Sequence, residues 1–103
     1  MKLITPQELL EWKQSGKPYQ LVDIRESYEI EACSMGGESI PMEMIPERLD
    51  DLRTDIPVVI HCQSGRRSEA VVRWIETKRS MDNLYSLAGG IAAWNDLMME
   101  AQH

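Results

Sequence analysis

Apolar positions along this chain fall into short runs and stripes, separated by punctuating Gly and Pro. Thr5-Pro6-Gln7-Glu8 has the form of a capping box with Pro at the first helical position, which predicts a helix through about Gln14. Ser15-Gly16-Lys17-Pro18 stops it. Tyr19 to Ile24 is a short apolar run of buried-strand character, ending in the charged Asp23-Ile24-Arg25-Glu26. Ser27 to Ala32 predicts a short helical turn, broken by Gly36-Gly37, and Ser39-Ile40 a brief strand before Pro41. Ile45 to Arg53 predicts another helix, with Pro46 near its start. Pro57 introduces the strand Val58-Val59-Ile60-His61, and Ser68 to Arg79 carries a helical stripe at Ala70, Val71, Trp74 and Ile75. Asn83 to Leu87 reads as a strand, Gly89-Gly90 as a turn and Ile91 to Glu100 as a last helix.

Strands that alternate with helices, without hairpin signals between them, predict a three-layer α/β domain around a mostly parallel sheet. The length of 103 residues suits one domain, spanning 1–103, with no internal repeat or linker.

Charge narrows the picture. The net charge is −6, which argues against general nucleic-acid or acidic-membrane binding. The spread is uneven: Glu26 to Asp51 holds eight acidic residues and one basic one, whereas Arg66 to Arg79 holds five basic and two acidic. One local basic segment on an acidic protein fits a small anion better than a polyanion, although a solvated amphipathic helix gives the same pattern. No stretch is long and apolar enough for a membrane span, and no signal-peptide core opens the chain. The two cysteines, Cys33 and Cys62, are therefore expected as free thiols in a reducing cytoplasm. Two Cys and two His are too few for a zinc ribbon, so no metal is expected.

The chemistry gathers at Cys62. With these strand and helix assignments, this thiol is expected beyond the carboxyl end of a central parallel strand, where ligands collect in such sheets. The loop Cys62-Gln63-Ser64-Gly65-Arg66-Arg67 contains a Gly able to take a left-handed conformation. Successive N–H groups of such a turn can form an anion-binding nest, and the following helix adds the partial positive charge of its N-terminus. Arg66 and Arg67 would strengthen the field. An ordinary thiol is only about 3% ionised at pH 7, and lowering its pKa by ~2 units takes roughly 2.7 kcal/mol of preferential anion stabilisation. His61 precedes Cys62 on a strand, so its side chain should face the other way and not act as the base of a Cys–His pair. The competing reading is a small buried hydrophobe at a strand end.

Several ordered stretches together resemble the rhodanese sulfurtransferase family across nearly the whole chain. Leu21-Val22-Asp23-Ile24-Arg25-Glu26 resembles the early L-(V/I)-D-V-R-E signature, continued by Tyr28-Glu29, and Gly36 to Pro41 the G-A-x-x-I-P segment. His61 to Ser68 resembles the active-site loop, and Leu87-Ala88-Gly89-Gly90-Ile91-Ala92-Ala93-Trp94 the closing L-x-G-G-x-x-A-W signature. The resemblance implies a rhodanese-like domain, with a sheet of about five strands flanked by helices. It also implies that Cys62 takes sulfane sulfur from a donor such as thiosulfate. The persulfide would then pass its outer sulfur to cyanide, a thiol or a protein. The loop amides of Gln63, Ser64, Gly65, Arg66 and Arg67 would stabilise thiolate and persulfide. Arg66 or Arg67 would help hold an oxyanionic donor, with no cofactor, and the protein is expected to be a monomer.

Two other functions stay open: a non-catalytic sulfur carrier or protein-binding module, and a cysteine phosphatase. The phosphatase pattern is Cys-x5-Arg, whereas here Arg67 gives Cys-x4-Arg and Ser68 takes the next position. The chain also departs from the family's G-H-I-P-G-A stretch, reading Ala32-Cys33-Ser34-Met35-Gly36-Gly37. A similar I-G-G-E-x-I-P stretch occurs in rhodanese domains attached to ubiquitin-like-protein-activating enzymes. Cys33 is then a packed loop residue or a second sulfur-carrying thiol. Asp23, Arg25 and Glu29 could form a charged catalytic network. The stronger expectation is that Asp23 bonds backbone at the strand end and Arg25 pairs with Glu29 or another nearby carboxylate, with Arg25 an accessory candidate at the pocket.

Overall fold

A computed structural model describes residues 1–101. Five parallel strands form one sheet in the order β1-β5-β4-β2-β3. The strands are β1 (Lys2–Ile4), β2 (Gln20–Asp23), β3 (Glu38–Ser39), β4 (Val58–His61) and β5 (Leu84–Leu87). The helices are α1 (Pro6–Ser15), α2 (Ser27–Ala32), α3 (Arg66–Lys78) and α4 (Gly90–Glu100).

Local sequence accounts for the helix ends. Thr5 Oγ1 accepts from the Glu8 N–H at 3.1 Å and Glu8 Oε1 from the Thr5 N–H at 3.0 Å, the reciprocal box that opens α1. Gly16, at φ 76°, closes α1 in the left-handed region. β4 is central, with Gln20 opposite Val58 on one side and Val58 opposite Leu84 on the other.

Strand alternation splits the core in two. Val58, Ile60 and Cys62 pack with Val71, Val72 and Ile75 of α3. Val59 faces the other layer, with Leu9 of α1 and Trp94 of α4. That parity sends the neighbours His61 and Cys62 to opposite faces.

Two features depart from the sequence pattern. The expected helix Ile45 to Arg53 is instead a pair of 3₁₀ turns, Met42–Glu47 and Leu49–Asp51. Helical turning begins at Met42, which places Pro46 in its interior. There Pro lacks the N–H an α-helix needs, and the segment stays short and tight. β1 was not foreseen. Its three residues are too few to show alternation, and pairing with β5 is what makes them a strand.

Candidate active site

Cys62 lies just past the end of β4, on the α3 side of the sheet. Gly65 turns the chain into α3 at φ 100°, and a Cβ there would lie 3.3 Å from the Gly89 nitrogen. This left-handed turn folds the loop back over the sulfur. Cys62 Sγ accepts from the Gly65 N–H at 3.1 Å and the Ser68 N–H at 3.4 Å, and the Ser68 hydroxyl lies 3.6 Å away. Cys62 is fully buried, and burial pushes its thiol pKa up. The N–H and hydroxyl of Ser68 and the N–H groups of Gly65 and Ser64 outweigh that, leaving it below its ordinary value. Hydrogen bonds at close range therefore favour the thiolate form of the sulfur.

The back of the loop is fixed by α4. The Ile91 N–H donates to the Cys62 carbonyl at 2.9 Å and the Ala92 N–H to the Gln63 carbonyl at 3.1 Å. Both loop carbonyls thus point toward the N-terminus of α4, while N–H groups of the Ser64–Ser68 stretch point at the sulfur. The approach requires glycine, because a Cβ on Gly90 would sit 2.5 Å from each of those carbonyl oxygens. The Gly89-Gly90 pair makes a turn, as its sequence implies, and also anchors the Cys62 loop.

α3 begins at Arg66, so Arg66 and Arg67 belong to its first turn and only Gln63 to Gly65 form the loop proper. Arg66, Gln63 and Ser64 are exposed to solvent. Arg67 is engaged: its two terminal nitrogens donate to the Glu29 carboxylate of α2 at 2.9 and 2.8 Å. That pairing holds the Glu29 carboxyl at about 2.

Arg25 is 1% exposed. It donates to Asp23 through Nε at 3.0 Å and Nη2 at 2.8 Å. Its remaining hydrogens reach the Cys33 carbonyl at 2.6 Å, the Glu29 carbonyl at 3.4 Å and Gln63 Oε1 at 3.4 Å. Asp23 also accepts from the Arg25 N–H at 3.0 Å. This buried pair therefore ties the ends of β2 and α2 together and touches the Cys62 loop only through Gln63. Cys33 is free and half-buried, and its Sγ accepts from Asn95 Nδ2 at 3.2 Å. Among the described residues neither ring nitrogen of His61 has a hydrogen-bond partner, and Nε2 stands 3.7 Å from Asp23. Burial pushes its pKa down and favours the neutral ring, and its place on the face of the sheet opposite Cys62 rules out a Cys–His pair.

Four residues outside the stretch from Cys62 to Arg67 belong to the structure of the site. Glu29 holds Arg67, and Gly90 admits the loop. Ser68 and Ser86, both fully buried, join hydroxyls at 2.6 Å beneath Cys62. A motif spacing can flag Ser68, since it follows the loop directly. Nothing in sequence marks Ser86, which reaches the site from β5 only through sheet register.

The profile of the rhodanese-like domain family matches residues 5–97. The chain is 32% identical to the Bacillus subtilis protein YqhL over 91% of its own length and 72% of that protein. It is 34% identical to the Mycobacterium tuberculosis protein MoeZ, named a probable adenylyltransferase/sulfurtransferase. That match covers 88% of this chain but only 24% of MoeZ. A crystal structure of a rhodanese-like domain protein from Staphylococcus aureus superimposes with a TM-score of 0.81 at 34% identity, covering 91% of each chain.

Proposed function

The chain belongs to the rhodanese-like domain family, and from that premise we propose that it is a sulfurtransferase carrying sulfane sulfur as a persulfide on Cys62. The observation that carries this reading is the buried Sγ receiving N–H groups from Gly65 and Ser68. Donors aimed at a sulfur anion stabilise thiolate and persulfide alike.

With thiosulfate as donor, the Cys62 thiolate attacks the outer sulfur. A Cys62–sulfur bond forms, the sulfur–sulfur bond of thiosulfate breaks, and sulfite leaves with the electron pair. In the second half, a thiophile such as cyanide, a thiol or a protein attacks the terminal sulfur. Cys62 then leaves as thiolate, and the site is regenerated without net redox change or cofactor. Exposed Arg66 meets an anionic donor at the mouth, because Arg67 is already held by Glu29. Gln63, Ser64 and Gly65 supply the loop backbone around the sulfur.

Support for an acceptor larger than cyanide comes from MoeZ, whose name joins sulfurtransferase to adenylyltransferase. We take the chain to act as one monomeric domain in the cytoplasm. Among the described residues no helix is long and apolar enough to cross a membrane.

The test is intact mass after thiosulfate treatment, with the modified peptide located, followed by thiocyanate production on adding cyanide. The expected result is a gain of one sulfur atom on Cys62, lost in Cys62→Ser. A wild-type protein that never gains sulfur on Cys62 from any sulfane donor would overturn the reading.

A further inference from the structure

We propose that Ser86 is a positioning residue for Cys62, acting through Ser68: its hydroxyl donates to Ser68 and leaves the Ser68 proton free to turn toward the sulfur. Ser86 and Ser68 are each 0% exposed. Among the described residues the one hydrogen-bond partner of Ser86 Oγ is Ser68 Oγ, at 2.6 Å. A buried hydroxyl must place its proton on an acceptor. Ser86 is therefore the donor of this pair. Ser68 Oγ in turn has two places for its own proton, the Gly65 carbonyl at 3.1 Å and Cys62 Sγ at 3.6 Å.

Ser86 acts differently on the two protonation states of Cys62. With Cys62 as thiol, the S–H points to Ser68, Ser68 donates to the Gly65 carbonyl, and Ser86 donates to Ser68. With Cys62 as thiolate, the Ser68 proton swings from the carbonyl to the sulfur, and Ser86 is then the sole donor to Ser68. Removing the Ser86 hydroxyl thus costs little in the thiol state, where the Cys62 S–H still reaches Ser68. In the thiolate state it leaves the Ser68 oxygen buried with no donor, and a less polarised donor to the sulfur. The loss falls on the anion.

This inference rests on Cys62 being the reacting thiol, but its test does not need sulfur transfer. In a Cys33→Ser background, Cys62 is the one thiol left. Its ionisation is followed by thiolate ultraviolet absorbance and by the pH dependence of iodoacetamide alkylation. Ser86→Ala is expected to raise the midpoint by about half a pH unit or more. Combined with Ser68→Ala, it should add nothing further, since the route through Ser68 is already gone. Ser86→Thr, which keeps the hydroxyl, should leave the midpoint close to the wild-type value. A midpoint unmoved in Ser86→Ala, even with a lower melting temperature, would mean that Ser86 only packs. A full shift from Ser86→Ala on top of Ser68→Ala would equally overturn the relay. Failure of sulfur loading in the wild type would bear on the sulfurtransferase reading alone.

Discussion

Glu29 and Arg67 meet across 38 residues of sequence, two oxygens against two nitrogens at 2.8 and 2.9 Å, locking α2 to the first turn of α3. The pair decides how charge is distributed at the site, since Arg67 stands on the Cys62 loop's own helix but spends its fork on a carboxylate. Glu29 also accepts from the Glu26 N–H at 3.1 Å and so caps α2. Both roles favour its ionised form. With the folded carboxyl held at about 2 and the unfolded one near 4.3, the native state binds fewer protons between those values. The pair's contribution is therefore complete above about pH 4.3 and is lost as pH falls toward 2. Melting temperatures measured down that range should fall less steeply in Glu29→Gln than in the wild type. Parallel curves would show that the ion pair contributes nothing.

The sulfur itself gives a second prediction. Its N–H donors hold the pKa below the ordinary value, so Cys62 should alkylate with a midpoint below the ~8.5 of a free thiol. Because Cys62 is 0% exposed, reagent can reach it only during an opening of the loop. Alkylation rates should then level off at high iodoacetamide concentration, at the rate of that opening. A rate that stays proportional to reagent, with a midpoint at 8.5 or above, would contradict both statements.

Gly90→Ala tests the anchor behind the loop. The new Cβ would fall 2.5 Å from the Cys62 and Gln63 carbonyls, on a backbone at φ 61°. The loop and α4 must part, at a cost of roughly 2–4 kcal/mol for the strain and the lost hydrogen bonds. Urea denaturation should show that loss, and the Cys62 midpoint should rise because the N–H groups no longer converge. Gly36→Ala is the control. Its φ of 83° is comparably strained, but a Cβ there meets nothing within 4 Å, so any cost should leave the midpoint where it is.

What could be read in advance follows the range of the interactions. Capping of α1, the helical stripe of α3 and the apolar runs of β2 and β4 are local, and they are legible in residue order. Cys62 and Gly65 were legible as well, since a strand, a short loop and a helix suffice to place them. The turning segment after Pro41 is not legible in the same way, because a Pro near a helix start and a Pro inside it look alike until the start is known. Glu29 to Arg67, Ser86 to Ser68 and Gly90 to the loop carbonyls join different elements through sheet register and close packing. No spacing in the chain encodes those distances.

Asp23 and Arg25 are 2% and 1% exposed and joined at 2.8 Å. Desolvation pushes the Asp23 carboxyl up, but the Arg25 hydrogen bonds and charge hold it below its usual range. Removing one partner leaves the other charge without compensation, so Asp23→Ala should cost about 3–5 kcal/mol in urea denaturation. The double variant Asp23→Ala with Arg25→Met removes both charges and should recover part of that loss, since the methionine packs where the aliphatic stem ran. The recovery measures how far the cost comes from the stranded guanidinium. Arg25 reaches the Cys62 loop only through Gln63 at 3.4 Å, so the double variant should also keep the Cys62 ionisation midpoint within a few tenths of a unit. A midpoint that rises as far as in Ser68→Ala would move Arg25 from holding the strand end to holding the sulfur anion.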